Sequence, residues 1–140
     1  MSAPNYLSIL RDQLLVDEGE RKEPYLDTEG NITIGVGRNL TAVGISQDEQ
    51  DLMLTNDMWR ANNAARALFR SFDNLTPTRK AVLCNMAFNM GLTALSGFHG
   101  TIAAVEAGDY NLAADNMLAS LWARQVGDRA KRLAALMRSG

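Results

Sequence analysis

One segment of this sequence interrupts a chain whose other signals are helical. Residues 25–40 carry several residues that favour extended strands: Tyr25, Leu26, Ile32, Thr33, Ile34 and Val36. Between them, residues 27–31 (DTEGN) supply the Asp, Gly and Asn that favour tight turns. The pattern predicts a β-hairpin or a three-stranded meander, so we expect an α+β fold that is mostly α.

A helical pattern precedes the hairpin. The first predicted helix spans 4–22, because Pro4 suits a first helical turn and leucines follow at helical spacing. We expect this helix to end near Lys22, since Pro24 disfavours a helical conformation in the residue before it.

More helices are predicted after the hairpin. Ser46 with Glu49 three residues later is a capping box, and it predicts a long helix from Ser46 to about Phe69. Thr76–Pro77 opens a third helix that is apolar all round, as in a buried central helix, and Gly91 closes it. Shorter helices are predicted at 101–107, 109–120 (after an Asp109 cap) and 128–138.

These elements predict one domain over residues 1–140. A small lobe of about 12–60 would hold the hairpin and the start of the long helix. The long helix would join it to a helical lobe at 61–140, on which helix 4–22 packs. A chain of 140 residues buries roughly 70% of its unfolded surface and needs no disulfides to fold.

The single cysteine, and the patterns that would mark a signal peptide or a membrane-spanning segment, indicate the cellular compartment that we expect for the protein. Cys84 is the one cysteine, so no disulfide forms within the chain, which is compatible with folding in a reducing cytosol. We expect Cys84 itself to be a core residue. No run of 18 apolar residues and no basic-then-apolar leader occurs. We therefore expect neither signal peptide nor membrane anchor, and no stable membrane insertion.

The charge is asymmetric along the chain. Residues 1–60 hold 11 acids and 5 bases, whereas residues 61–140 hold 5 acids and 9 bases. This asymmetry fits either two solvated surfaces or a cleft with carboxylates on one wall and cations on the other. No strongly basic patch dominates, so we expect no nucleic-acid partner.

One set of side chains has the composition that glycoside hydrolysis requires, an acid and a second group that handles water. Glu18, Asp27 and Thr33 follow the spacing E-x8-D-x5-T across a helix end and the hairpin. By spacing alone, Glu18 could equally be a solvated member of an acidic run. His99 is the only histidine, which excludes a His-rich zinc site. We interpret GVG at 35–37 as permitting close backbone approach at a strand end.

The stretch EGERKEPYLDTEGNITIGVG resembles the active-site hairpin of the phage lysozymes, the muramidases of the T-even coliphage type (glycoside hydrolase family 24). Three further motifs resemble that family in the same order, so the resemblance covers nearly the whole chain. They are NMAFNMG at 85–91, LSGF at 95–98, and RAKR at 129–132 followed by SG at 139–140. The implied fold is lysozyme-like.

The resemblance implies roles for named residues. Glu18 would be the general acid, Asp27 would orient the attacking water or act as base, and Thr33 would hydrogen-bond that water. Arg129 would pair with Glu18 across the cleft, although an ordinary helix-surface cation is the alternative. Phe88, Thr101 and Asn116 would line the sugar cleft, with Phe88 as a core residue the alternative; Trp122 is read as core.

The implied activity is cleavage of the β-1,4 bond between N-acetylmuramic acid and N-acetylglucosamine of bacterial peptidoglycan, with inversion and with no cofactor or metal. We expect a monomeric endolysin that stays in the host cytoplasm until a holin-like protein releases it to the wall. A virion-associated lysozyme is a variant with the same chemistry. A non-catalytic glycan-binding module and a lytic transglycosylase are the alternatives, against which the retained Asp27 and Thr33 speak.

Three departures from the family pattern stand out. Arg38 occupies the place of the usual His, and Asn39 replaces an apolar residue at a cleft edge. The segment 41–49 between the hairpin and the long helix is short, which implies a minimal small lobe.

Overall fold

The computed structural model describes residues 5–140, so the predicted helix start at Pro4 lies outside the described part. The fold is α+β and mostly α, with one three-stranded antiparallel sheet, and the predicted class is confirmed. The strands are β1 (Arg21–Leu26), β2 (Ile32–Gly35) and β3 (Arg38–Asn39). The helices are α1 (Asn5–Glu18), α2 (Leu40–Val43), α3 (Gln47–Leu68), α4 (Pro77–Ser96), α5 (His99–Glu106), α6 (Tyr110–Leu118), α7 (Leu121–Val126) and α8 (Asp128–Ser139).

The chain forms two compact units, Met1–Asp51 and Leu52–Gly140. In the first unit the sheet order is β1-β2-β3. Tyr25 of β1 lies opposite Thr33 of β2, and Thr33 in turn lies opposite Asn39 of β3. The predicted meander is therefore confirmed.

Helix α1 ends earlier than predicted. Its last residue is Glu18 rather than Lys22, and Lys22 already belongs to β1. Gly19 has a φ of 71°, a left-handed conformation that ends a right-handed helix. The prediction gave weight to Pro24 and overlooked this glycine. Pro24 lies within β1, between Arg21 and Tyr25, where the strand register shifts.

The start of α3 confirms the capping box. The backbone N–H of Glu49 donates to Ser46 Oγ at 3.2 Å, and the Ser46 N–H donates to Glu49 Oε1 at 2.8 Å. Both bonds satisfy N–H groups that a helix start leaves free. The helix then runs to Leu68, one residue short of the prediction.

The second unit is built around an apolar core. Helix α4 buries one of its faces in this core. Gly91, with a φ of 84°, breaks the regular helix as predicted, and a further turn continues to Ser96. The prediction of a helix buried all round is wrong, because Asn85 and Phe88 lie on an exposed face. The largest fully buried side chains are Phe69, Leu83, Met86, Leu95, Met117 and Met137.

The later helices follow the prediction with small shifts. Helix α5 begins two residues early at His99, and α6 ends at Leu118 after the predicted Asp109 cap, whose Oδ1 accepts from the Leu112 N–H at 3.0 Å. Helix α7 was not predicted, although Ser120 caps it.

One arginine joins the start of α4 to the end of α8 in the second unit. Arg79 at the start of α4 donates Nε to the carbonyl of Met137 at 2.8 Å and Nη2 to that of Arg138 at 2.9 Å. Its guanidinium lies 3.7 Å from the ring centre of Tyr110. Carbonyls that the end of α8 leaves without helical partners are thereby satisfied.

Among the described helices, none is by itself long and apolar enough to cross a membrane. Only α4 and α5 taken together, bent by 106°, meet the length and composition that a span requires.

Candidate active site

Glu18 is the last residue of α1, and its exposed side chain lies against Gly37 in the turn between β2 and β3. A Cβ added at Gly37 would stand 2.8 Å from Glu18 Oε2, closer than real atoms approach. Gly37 also has a φ of 65°, which favours glycine. Close backbone approach at GVG was predicted and is confirmed at Gly37, with the candidate acid as the group that approaches.

Asp27 follows β1 directly, and hydrogen bonds hold its carboxylate inside the hairpin turn. Oδ1 accepts the N–H of Glu29 at 2.9 Å and the N–H of Asn31 at 2.8 Å, while Oδ2 accepts Asn31 Nδ2 at 3.2 Å. The bond from the Asn31 backbone is the largest cause that lowers the pKa of Asp27 below its ordinary value. Asp27 is therefore a carboxylate of fixed orientation at neutral pH.

Thr33 is the second residue of β2 and is buried, with 4% of its surface exposed. Its Oγ1 donates to the backbone carbonyl of Asn31 at 3.1 Å. Thr33 and Asp27 therefore share one neighbour, Asn31. The structure connects these two predicted site residues through Asn31 of the turn, in the unit that also holds Glu18.

Arg129 lies in the second unit, on α8. Its Nε and Nη2 donate to Asn85 Oδ1 at 3.0 and 2.7 Å. Both residues belong to motifs that carry the family resemblance, which named no partner for Arg129 other than Glu18. The pairing with Glu18 stays a prediction.

The three predicted sugar-lining residues also lie in the second unit and differ in exposure. Phe88 is 48% exposed and lines two surface pockets between α3 and α4, so it is not a core residue. Asn116 is half-buried and packs on Gly100 beside a smaller hollow. Thr101 borders that hollow but is only 2% exposed, which counts against direct contact with a sugar. Sugar binding by these residues remains a prediction.

Trp122 and Cys84 were both expected in the core. Trp122 is buried, and its Nε1 donates to Asn89 Oδ1 at 2.7 Å. Cys84 lies at the core's edge rather than inside it, half-buried beside Phe88. Desolvation raises the pKa of its thiol, against a smaller opposing effect of Arg66, so the thiol stays protonated at neutral pH.

Two of the three departures from the family pattern, Arg38 and Asn39, have structural roles in the first unit. Arg38 forms a two-pronged ion pair with Glu49, with Nη2–Oε2 at 2.7 Å and Nη1–Oε1 at 2.8 Å, and also donates to the carbonyl of Gly44 at 3.0 Å. Arg38 and then Ser46 lower the pKa of Glu49 to about 2. Asn39 caps α2 by accepting the Ala42 N–H at 2.9 Å. Arg38 therefore ties β3 to the start of α3.

Metal-binding side chains are scattered rather than clustered. Within residues 5–140, no group of three or more His, Cys, Asp or Glu side chains is placed to hold a metal ion.

The family model described as Phage lysozyme matches residues 16–139. The chain belongs to the phage lysozyme family. Probable T4-type lysozyme 2 of Dictyostelium discoideum is 30% identical over 96% of this chain and 96% of its own length. The Endolysin of Salmonella phage P22 is 31% identical over 80% of this chain and 79% of its own length. Pre-baseplate central spike protein Gp5 of Enterobacteria phage T4 is 26% identical over 94% of this chain, which covers 28% of that protein.

This member of the phage lysozyme family is therefore a glycoside hydrolase of the lysozyme type, and its substrate is peptidoglycan. The predicted family and enzyme class are confirmed.

Sequence reasoning missed three residues of this lysozyme that contact its candidate site residues. Asn31 lay within the recognised turn, and an amide four residues after Asp27 is a local signal that could have been used. Gly37 was recognised only as a close-approach glycine. Asn85, the partner of Arg129, offered no local signal because 44 positions separate the two residues.

Proposed function

We propose that this lysozyme hydrolyses the β-1,4 bond between N-acetylmuramic acid and N-acetylglucosamine with inversion at the anomeric carbon. The observation that carries the proposal is the shared neighbour Asn31, to which the ionised carboxylate of Asp27 and the hydroxyl of Thr33 are both hydrogen-bonded. A carboxylate beside a fixed hydroxyl suits the positioning of a water molecule. A carboxylate that attacks the sugar directly would gain little from such a neighbour.

In the proposed reaction, a water oxygen bonds to the anomeric carbon as the bond from that carbon to the leaving oxygen breaks. Glu18 gives its proton to the leaving oxygen, and Asp27 receives a proton from the water. One water is consumed, and the products are a hemiacetal and an alcohol. Proton exchange with solvent then restores Glu18 and Asp27. No metal or cofactor takes part in this scheme.

The second unit supplies the remaining proposed roles. We assign Arg129 to pairing with Glu18, because its guanidinium donates to Asn85 through Nε and Nη2 and keeps the N–H groups of Nη1 for a carboxylate. Phe88 and Asn116 are proposed to contact the glycan. Thr101 has so little exposed surface that any effect on binding would act through its neighbours.

The biological proposal is an endolysin. One relative is the Endolysin of Salmonella phage P22, 31% identical over 80% of this chain, and another is the pre-baseplate central spike protein of phage T4, 26% identical over 94% of it. The relationship to that endolysin supports a lysis enzyme, and a virion-associated lysozyme is the alternative. We propose that it acts as a monomer, stays in the host cytoplasm, and depends on a holin-like protein to reach the wall.

The decisive experiment follows the products of purified peptidoglycan fragments by proton NMR. We expect the α-anomer to appear first, before mutarotation, with new reducing ends and no 1,6-anhydro sugars. Glu18→Gln should lower kcat by about 10²- to 10⁴-fold without changing the melting temperature, since only the transferable proton is lost. The matched control is Glu20→Gln, which removes a nearby exposed carboxylate and should leave kcat unchanged.

Each alternative gives a different result. A β-anomer, or a covalent adduct on Asp27, would replace inversion by a retaining mechanism. Anhydro products would indicate a lytic transglycosylase, and binding without cleavage would indicate a glycan-binding module. Full turnover by Glu18→Gln would remove the assignment of the acid.

A further inference from the structure

Asn31 contacts both residues that the proposed function assigns to the attacking water. Its Nδ2 donates to Asp27 Oδ2 at 3.2 Å, and its backbone N–H donates to Asp27 Oδ1 at 2.8 Å. Its carbonyl accepts the N–H of Asp27 at 2.9 Å and the hydroxyl of Thr33 at 3.1 Å. We propose that Asn31 is a positioning residue that fixes the orientation of both water-binding groups. This inference rests on the proposed function.

The contact with Asn31 determines what Thr33 can offer to a water. A hydroxyl has one proton and two lone pairs, and the Thr33 proton is directed to the Asn31 carbonyl. Thr33 therefore faces the water as a hydrogen-bond acceptor. Because Thr33 is 4% exposed within β2, its hydroxyl has little freedom to turn away.

The contacts with Asp27 have a parallel effect. Both carboxylate oxygens are hydrogen-bonded within the turn, and the side-chain amide of Asn31 is the contact made to Oδ2. A carboxylate has about four lone-pair sites, so Oδ2 keeps capacity for a further donor. A water that donates one proton to Asp27 and the other to Thr33 has its own lone pairs left for the anomeric carbon. Asn31 therefore orients both groups that would hold the water, Asp27 through its side-chain amide and Thr33 through its backbone carbonyl.

The side-chain contact of Asn31 can be tested separately, because its three backbone contacts persist in any substitution. Asn31→Ala removes only the amide bond to Oδ2. Asn31→Asp keeps the shape but places a carboxylate oxygen where the N–H group stood, so that it repels Asp27 at neutral pH. The matched control is Thr28→Ala in the same turn, whose exposed side chain makes no hydrogen bond to any described residue.

We expect Asn31→Ala to lower kcat roughly tenfold at unchanged KM, because it removes one hydrogen bond to a charged group. Asn31→Asp should lower it further, and Thr28→Ala should match the parent enzyme. The amide stabilises the charged form of Asp27, so its removal raises that pKa. The acid limb of the pH–rate profile, and the Asp27 carboxyl titration followed by carbon-13 NMR, should both move to higher pH.

The inference is overturned if both Asn31 variants keep the parent kcat and acid limb while Asp27→Asn is inactive, and the proposed function then stands. If Asp27→Asn is itself fully active, the proposed function fails. Should Asn31→Ala lose its fold, shown by circular dichroism, the isosteric Asn31→Asp variant decides the matter by the same two measurements.

Discussion

The two units of this lysozyme are stabilised by different means. Among residues 5–51, the only buried side chain is that of Thr33. The contacts described there are hydrogen bonds, two ion pairs and one cation–π contact, together with turns that contain glycines of positive φ. The second unit instead encloses a continuous apolar core from Ala61 to Met137. This difference shows that Glu18, Asp27 and Thr33 lie in the unit whose structure depends on hydrogen bonds and ion pairs and not on a buried apolar core. Substitutions in the first unit should therefore alter activity, and core substitutions in the second should alter stability.

The largest effect on stability is expected from Leu83→Ala in the second unit. Leu83 is fully buried, so its truncation should lower the free energy of unfolding by about 2–5 kcal/mol through lost burial and a residual cavity. Urea denaturation measures this change, and kcat measured where the variant is folded should stay at the parent value. Val16→Ala, at a position 83% exposed on α1, is the control and should stay within about 0.5 kcal/mol. A large fall in kcat for folded Leu83→Ala would break the division of roles.

An intermediate effect, mainly on activity, is expected from Gly37→Ala. The new methyl group would meet Glu18 Oε2 at 2.8 Å and displace the carboxyl, lowering kcat by about 10- to 100-fold. Gly44→Ala is the matched control, because Gly44 has a similar φ of 60° but open space around it. Both variants should lose similar stability in thermal melting, from backbone strain. Equal kcat values for the two variants would refute the role of close approach at Gly37.

The smallest effect is expected from Arg38→Gln, and it should depend on pH. The pKa of Glu49 is lowered from 4.5 to about 2, so the ion pair stabilises the fold above pH 4.5 and this contribution is lost as pH falls towards 2. The melting temperatures of variant and parent should differ slightly at pH 7 and converge in acid. Arg11→Gln, which alters an exposed contact with Asp12 on α1, should show no such convergence. A difference that stays constant with pH would mean that Arg38 acts without Glu49.

Local signals explain what the sequence could predict of this fold. The capping box at Ser46 and the cap at Asp109 are each formed within three residues, and both were correct. The start of the first helix was placed at Pro4, outside the described residues. The error at its end came from weighing Pro24 above Gly19, although glycine is the commoner residue at that position.

The candidate site shows the limit of local reasoning. The contact between Glu18 and Gly37 joins positions far apart in sequence, and the pair of Arg38 with Glu49 spans 11 positions and two kinds of element. Such contacts depend on how a helix and a sheet meet, which residue spacing does not encode. The hydrogen bonds that Asn31 donates to the Asp27 carboxylate span four positions and follow known turn geometry, so the sequence could have predicted them.

The placement of Arg79 has a consequence for the order of events during synthesis. This guanidinium is satisfied by carbonyls 58 and 59 positions later in the chain, at the end of α8. While a ribosome is still adding residues, α4 can form, but those acceptors do not yet exist outside the exit tunnel. Contacts of such high sequence separation close late and slow the final step of folding. The side of α4 that packs on α8 therefore lacks its partner until residues 137 and 138 have emerged.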